Sequence, residues 1–338
     1  MIEYKGADVQ ELFFQAVSEE TFDPEKFLKR DEFSSSEEET LKTIFLKPFS
    51  SVITTYQFKH DVDIELNVLF NLTRDIFKNE QIGDTHSGIT THLRNSSRHP
   101  NINPGDLFIF RYKNILFNNE YYDGLGIYKV EQKDSFIETS YLGLPTLEFK
   151  EGIGQRKLDK ACLILFDVEP FTVFTIDNGT REAEYWNAFA DIDYKKDHVN
   201  DTNHFLQMTK TYITDQLPEE FEVSKTDQID LLNKSINYFK EHEEFQQAEF
   251  ETEVFGDATA IESFRYFDNQ YQKEMDLELS DTFKIAVNSV KKQARIFKSV
   301  LKLDKNFHVY IHGNRELIEK GMDSDGRKFY KIYYDKEA

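Results

Sequence analysis

Asp123, Glu131 and Lys133 are the residue types of a magnesium-dependent nuclease, in which two carboxylates hold a metal and a lysine sits near the attacking water. Glu131 and Lys133 would share one strand face by the period of two. In a chain with 30% charged residues the same trio also arises by chance, as solvent-facing residues of a hairpin. His86, His92 and His99 fall close together, with Arg94 and Arg98 between them. A metal centre wants ligands one helical turn apart and a nearby cysteine or carboxylate. These spacings are six and seven residues, and Pro100 interrupts the geometry. Surface or capping histidines are the expectation. Gly124-Leu-Gly126 and Gly152-Ile-Gly154 lack the third glycine and following helix of a phosphate loop. Asp323-Ser-Asp-Gly326 has Tyr334 where a calcium loop needs its closing Glu, so it reads as a hairpin turn. Cys162 lies in the most apolar segment and reads as a core residue. Neither a nucleophile–base pair nor a cofactor is expected.

The other chemistry on offer is charge. The chain has a formal net charge of −21, yet Phe283–Lys305 holds Lys284, Lys291, Lys292, Arg295, Lys298, Lys302 and Lys305 against Asp304 alone. That is +6, leaving −27 for the rest. Wound as a helix, Phe283, Val287, Val290, Ala294, Phe297 and Leu301 form an apolar stripe. Lys284, Lys291, Arg295, Lys298 and Lys302 form a second stripe beside it. Lysine is an ordinary way to solvate a helix face. Here, however, like charges repel at helical spacing with no acid interleaved, a cost of a few tenths of a kcal/mol per pair. A stripe that costs stability suggests a polyanionic partner that relieves it. Ser299–Leu303 alternates and offers a strand at the far end, which would turn Lys302 elsewhere.

Bulk properties narrow the classes. At 338 residues, with 39% hydrophobic and 14% aromatic content, the chain can fill two separate cores. One cysteine excludes an internal disulfide framework and suits a reducing cytoplasm. The first residues lack the basic-then-apolar signature of a signal peptide. No apolar run approaches the ~20 residues of a membrane span. A pI near 4.9 argues against coating of DNA, because binding leans on phosphate neutralisation. Contact with DNA must be local, or the partner must be a protein.

The elements that would position these residues follow from periodicity. Ser34–Thr40 is polar and acidic, with capping-box spacing from Ser35 to Glu38. Helical spacing covers 64–77 and 86–97. The period then changes to two, predicting strands at 106–112, 126–131, 135–141, 161–166 and 171–176, the last closed by Asp177-Asn-Gly179. This is an antiparallel meander, not an alternating βα pattern. Helices are predicted at 204–214, 226–245, 257–272 and 281–297, then strands around 299–312 and 328–334. The predicted fold class is α+β: an antiparallel sheet with flanking helices over 1–218, and a mostly helical domain closed by strands over 219–338, with the boundary near Pro218.

Several blocks in order resemble the bacterial nucleoid-associated protein family known as NdpA or YejK-like, in its Bacteroidetes-type form. They are Asn95–Leu107, Gly124–Val130, Lys160–Leu165, Thr175–Asn178 running to Tyr185-Trp186, Phe297–His312 and Phe329–Tyr334. The resemblance runs from about 85 to the end; the first 80 residues match less clearly. It implies a cytoplasmic, nucleoid-located protein that binds double-stranded DNA or DNA-topology enzymes, and it supplies no catalytic residues. Its Phe297 block begins inside the basic stretch. The expectation is therefore a non-enzymatic factor contacting DNA through Lys284, Lys291, Arg295, Lys298 and Lys302. One rival is an acidic adapter docking on a basic enzyme such as a topoisomerase; the other is the nuclease. A chain this rich in Phe and Tyr is also expected to form a homodimer through exposed apolar patches.

Overall fold

The computed structural model describes residues 2–17, 27–99, 102–103, 105–141, 143–178, 185–275, 277–294, 297, 300–303, 305–311, 317–334 and 336. The chain divides into two compact units, Met1–Lys195 and Lys196–Ala338. The expected boundary at 218 lies inside the second unit, because the helix beginning at His198 contributes Phe205, Leu206 and Met208 to that unit's core.

The strands of the first unit are β1 (Ile2–Glu3), β2 (Asp8–Ala16), β3 (Phe27–Lys29), β4 (Tyr56–Phe58), β5 (Asp106–Phe117), β6 (Glu120–Val130), β7 (Asp134–Ser140), β8 (Thr146–Gly152), β9 (Lys160–Leu165), β10 (Thr172–Asp177) and β11 (Ile192–Tyr194). Its helices are α1 (Ser35–Leu41), α2 (Val68–Asn79), α3 (Thr85–Ser96) and α4 (Tyr185–Ala190). A sheet in the order β11-β4-β10-β9-β6-β5-β2-β3, with β1 also on β5, is antiparallel at every pairing. Strands β7 and β8 leave the meander and pair only with each other.

Period-two alternation covers both faces of this sheet. Leu107, Ile109, Ile127, Cys162 and Ile164 face a core completed by Leu69, Phe70 and Ile76 of α2, Ile89 and Leu93 of α3, and Trp186 and Phe189 of α4. Their neighbours Phe110, Tyr112, Tyr128, Leu163 and Leu165 face a second core with Phe45 and Phe49. A strand buried on both sides reads as continuously apolar, as β9 does. Helix α2 starts where Asn67 Oδ1 accepts the Phe70 N–H at 2.8 Å. It stops at Glu80, in the left-handed region at φ 53°. The capping box of α1 runs from Ser34 to Glu37, one residue earlier than expected.

The second unit contains α5 (His198–Thr211), α6 (Leu217–Glu220), α7 (Lys225–Glu241), α8 (Gln247–Val254), α9 (Ala258–Glu274) and α10 (Val287–Gln293). Among the described residues its strands pair two by two: β12 (Glu244–Gln246) with β13 (Thr282–Lys284), across the intervening α8 and α9, and the hairpins β14 (Val300–Leu303) with β15 (Phe307–Tyr310) and β16 (Ile318–Met322) with β17 (Lys328–Ile332). The core is aromatic, with Phe205–Phe245 ring centroids at 4.2 Å and Phe245–Phe283 at 4.6 Å. The α+β class is as read from the periodicity. Asp323–Gly326 lies in the turn between β16 and β17.

Candidate nucleic-acid interface

The continuous helix expected over the basic stretch is not what forms. Strand β13 takes Phe283 and Lys284, α10 takes Lys291, and β14 takes Lys302. Arg295 and Lys298 lie outside the described residues. Packing decides this: Phe283 lines up with Phe245 across the β12–β13 pair and joins the aromatic core, a gain that outweighs helical spacing. The apolar stripe breaks with it. Val290, Phe297 and Leu301 are buried, but Val287 is 60% exposed. Of the alternation noted at 299–303, the described residues Val300–Leu303 do form a strand.

Lys284, Lys291 and Lys302 are all exposed. Among the described residues, none of the three makes an ion pair or a side-chain hydrogen bond. Their surroundings differ. Lys284 stands directly opposite Glu244 in the β12–β13 register, so an acid is close at hand. Lys302 stands opposite His308. By the strand period, Lys302 shares the outward face of β14–β15 with exposed His308 and Tyr310. The inward face, with Leu301, Leu303 and Val309, packs with Ile318 and Tyr330 of the last hairpin. On that hairpin's outer face lie Phe329 and Lys331. Lys331 is 3.6 Å from Glu319 and sits 4.6 Å from the Tyr333 ring centroid. Sequence reasoning did not single out His308, Tyr310 or Lys331, which the two hairpins bring onto outward faces with Lys302 and Phe329 respectively.

The nuclease trio is not brought together. Asp123 lies near the start of β6 and Glu131 just past its end, roughly 25 Å apart at the rise of an extended chain, and Lys133 pairs with Asp106 at 2.7 Å. Glu131 belongs to another arrangement. The Lys129 ammonium, fully buried, donates to Glu131 Oε1 at 3.1 Å and to Tyr185 Oη at 3.0 Å. The Tyr185 hydroxyl donates to the same Glu131 oxygen. Lys160, also fully buried, pairs with Asp177 and lies 5.3 Å from the Tyr185 ring centroid. Asp159 Oδ2 accepts the Glu131 and Gln132 N–H groups at 2.8 and 3.2 Å. Burial pushes the Lys129 ammonium below the usual lysine range, an effect that Glu131 opposes. Burial, then the Glu131 hydrogen bond, raises the Tyr185 phenol. The two buried ammonium groups are thus paired with carboxylates that reach partly exposed positions, as a satisfied polar network requires.

His99 is exposed, as expected, but His86 and His92 are neither surface nor capping residues. His86 is buried and stacks on Phe13 at 4.2 Å, while His92 Nε2 lies 2.9 Å from the Phe189 carbonyl. Six residues apart on α3, they meet different neighbours, and burial lowers both imidazoles below their ordinary value. Gly124 and Gly126 lie in the middle of β6, where a Cβ would come within 2.6 Å of the Ile164 carbonyl oxygen and 2.5 Å of Tyr128 Oη. They permit close packing within a strand and do not form the loop-to-helix turn of a phosphate loop.

An acidic α+β protein with a two-faced antiparallel sheet in one unit and a cation-bearing second unit is thereby defined. A family model described as nucleoid-associated protein YejK matches residues 15–338, and the chain belongs to that family. No curated protein matches it significantly. No helix among the described residues is long and apolar enough to cross a membrane.

Proposed function

We propose that the protein is a non-enzymatic factor of the bacterial nucleoid, resident in the cytoplasm, that contacts double-stranded DNA locally through its second unit. Lys284, Lys291 and Lys302, with Arg295 and Lys298 of the same stretch, supply the cations. The carrying observation is that Lys284, Lys291 and Lys302 are exposed and, among the described residues, make no ion pair, in a chain of net charge −21. Membership of a nucleoid-associated family supports the same reading. The factor works as a homodimer, so that two cationic regions act together against an overall charge hostile to DNA.

Phosphate contacts release counterions, so five cations give a log–log salt slope no steeper than about −4.5. The acidic remainder keeps affinity modest, on the order of micromolar or weaker near physiological salt. Fluorescence anisotropy with a labelled duplex tests this. Replacing Lys291, Arg295 and Lys298 with Glu abolishes binding while the circular dichroism spectrum is retained. Unchanged affinity would sink the reading and favour the second one, which the acidic balance supports: an adapter whose negative surface docks on a basic enzyme such as a topoisomerase. Plasmid DNA incubated with magnesium stays intact. Cleavage that disappears in Glu131→Gln would overturn the non-enzymatic assignment.

A further inference from the structure

The β7–β8 hairpin has two unlike faces. Directly opposed residues in an antiparallel pair point the same way. The register Ile137↔Phe149 and Thr139↔Leu147 therefore collects Ile137, Thr139, Leu147 and Phe149 on one face. The other face takes Glu138, Glu148 and Lys150, where Lys150 pairs with Glu138 and lies 3.2 Å from Glu148. Phe136 also lies on that charged face, while on the opposite face the one acid, Glu151 across from Ser135, stands at the base and the four central positions carry no charge. That second face is open: Ile137 is 55% exposed, Leu147 57% and Phe149 79%, and Tyr141 and Leu144 of the connecting loop are 77% and 86% exposed. A two-stranded ribbon is marginal by itself in water, and apolar surface concentrated on one face marks an interaction site.

We infer that this face is the homodimer interface, closed by the same face of a second copy about a two-fold axis. Three observations select that occupant. Ile137, Leu147 and Phe149 of the face, with Tyr141 and Leu144 of the adjoining loop, expose on the order of 650 Å² per chain, so a symmetric pair that covers both face and loop buries up to roughly 1,300 Å², within the range of a stable specific interface. The hairpin segment 134–152 carries four acids against Lys150, which excludes nucleic acid as the cover. An uncharged central face offers a basic protein no complementary charge, whereas it meets its own copy without burying an unpaired ion. The assignment rests on the homodimer part of the reading above and is independent of DNA binding.

Light scattering on a sizing column at about ten micromolar reads both levels. The native chain gives twice its 39.9 kDa mass, and Ile137→Glu with Phe149→Glu gives the single-chain mass at unchanged circular dichroism. A native monomer overturns the homodimer altogether. A dimer that survives the double substitution overturns this interface and leaves the homodimer standing. Should the double variant fail to fold, Thr139→Cys decides with a short bis-maleimide cross-linker, because the natural thiol, Cys162, is buried and silent. A covalent dimer supports the assignment, and its absence overturns it.

Discussion

Lys129 carries a charge into a place where an unpaired charge is expensive, and Glu131 and Tyr185 make it tolerable. Removing the carboxylate leaves the ammonium uncompensated. Glu131→Gln should therefore destabilise the first unit by about 3 kcal/mol or more, read by urea unfolding. Adding Lys129→Met should restore most of the loss, since an apolar side chain of similar volume needs no counterion. Asp201 gives a residue-scale prediction of the opposite kind. Burial, reinforced by Asp197, pushes its carboxyl up to about 6 from 3.8. The folded chain keeps a proton that the unfolded chain releases earlier, so this group's contribution declines as pH rises from about 4 to 6. Asp201→Asn should stabilise the protein at pH 7 by about 1–2 kcal/mol after allowance for partial solvation. The gain should fade as the titration approaches pH 4. His86, His92 and His204, held low by burial, act the other way. The unfolded chain takes up their protons first, so stability falls as pH drops below 6.5. A melting series from pH 7 to 5.5 should show that decline, and Asp201→Asn should make it steeper.

Strand β6 shows how tightly the elements are fitted. The Cβ of an alanine at 124 would press on a backbone carbonyl, which cannot swing away, whereas at 126 it would meet the movable Tyr128 side chain. Gly124→Ala should cost about 1–3 kcal/mol and more than Gly126→Ala, a ranking that denaturant midpoints can check. These glycines could be excluded as a phosphate loop from spacing alone, but their packing role needed the neighbouring strand. The same limit separates what was legible from what was not. Strands β5, β6, β9 and β10 keep strict alternation or continuous apolarity, so their pattern survives in one dimension. Strand β2 does not. A bulge between Val9 and Glu11 shifts its register, so Val9, Leu12 and Phe13 are all buried without a common parity, and periodicity misses it. In the basic stretch the lysines were visible as composition. Their support was not, because Phe283 answers to Phe245, far away in sequence, and helical spacing carries no record of that contact. The histidines on α3 were misread for the same reason: nothing local announces that Phe13 lies across from His86.

At the scale of the whole molecule, net charge sets two salt responses of opposite sign. Self-repulsion among 62 acids and 41 cations weakens the compact state at low ionic strength. Raising sodium chloride from 10 to 200 mM, roughly a fourfold to fivefold shortening of the screening length, should raise the melting temperature while DNA affinity falls. A single instrument run on protein with and without duplex would separate the two trends. The two units also need not lose structure together, since each has its own core. Here the thiol in β9 becomes a clock. Cys162 is fully buried, and burial pushes it up to about 12, so a chromogenic disulfide reagent can reach it only when the central strands part. Labelling under native conditions then times the opening of the sheet unit alone, blind to whatever the second unit is doing. Its rate should be unmoved by added DNA and accelerated by Glu131→Gln.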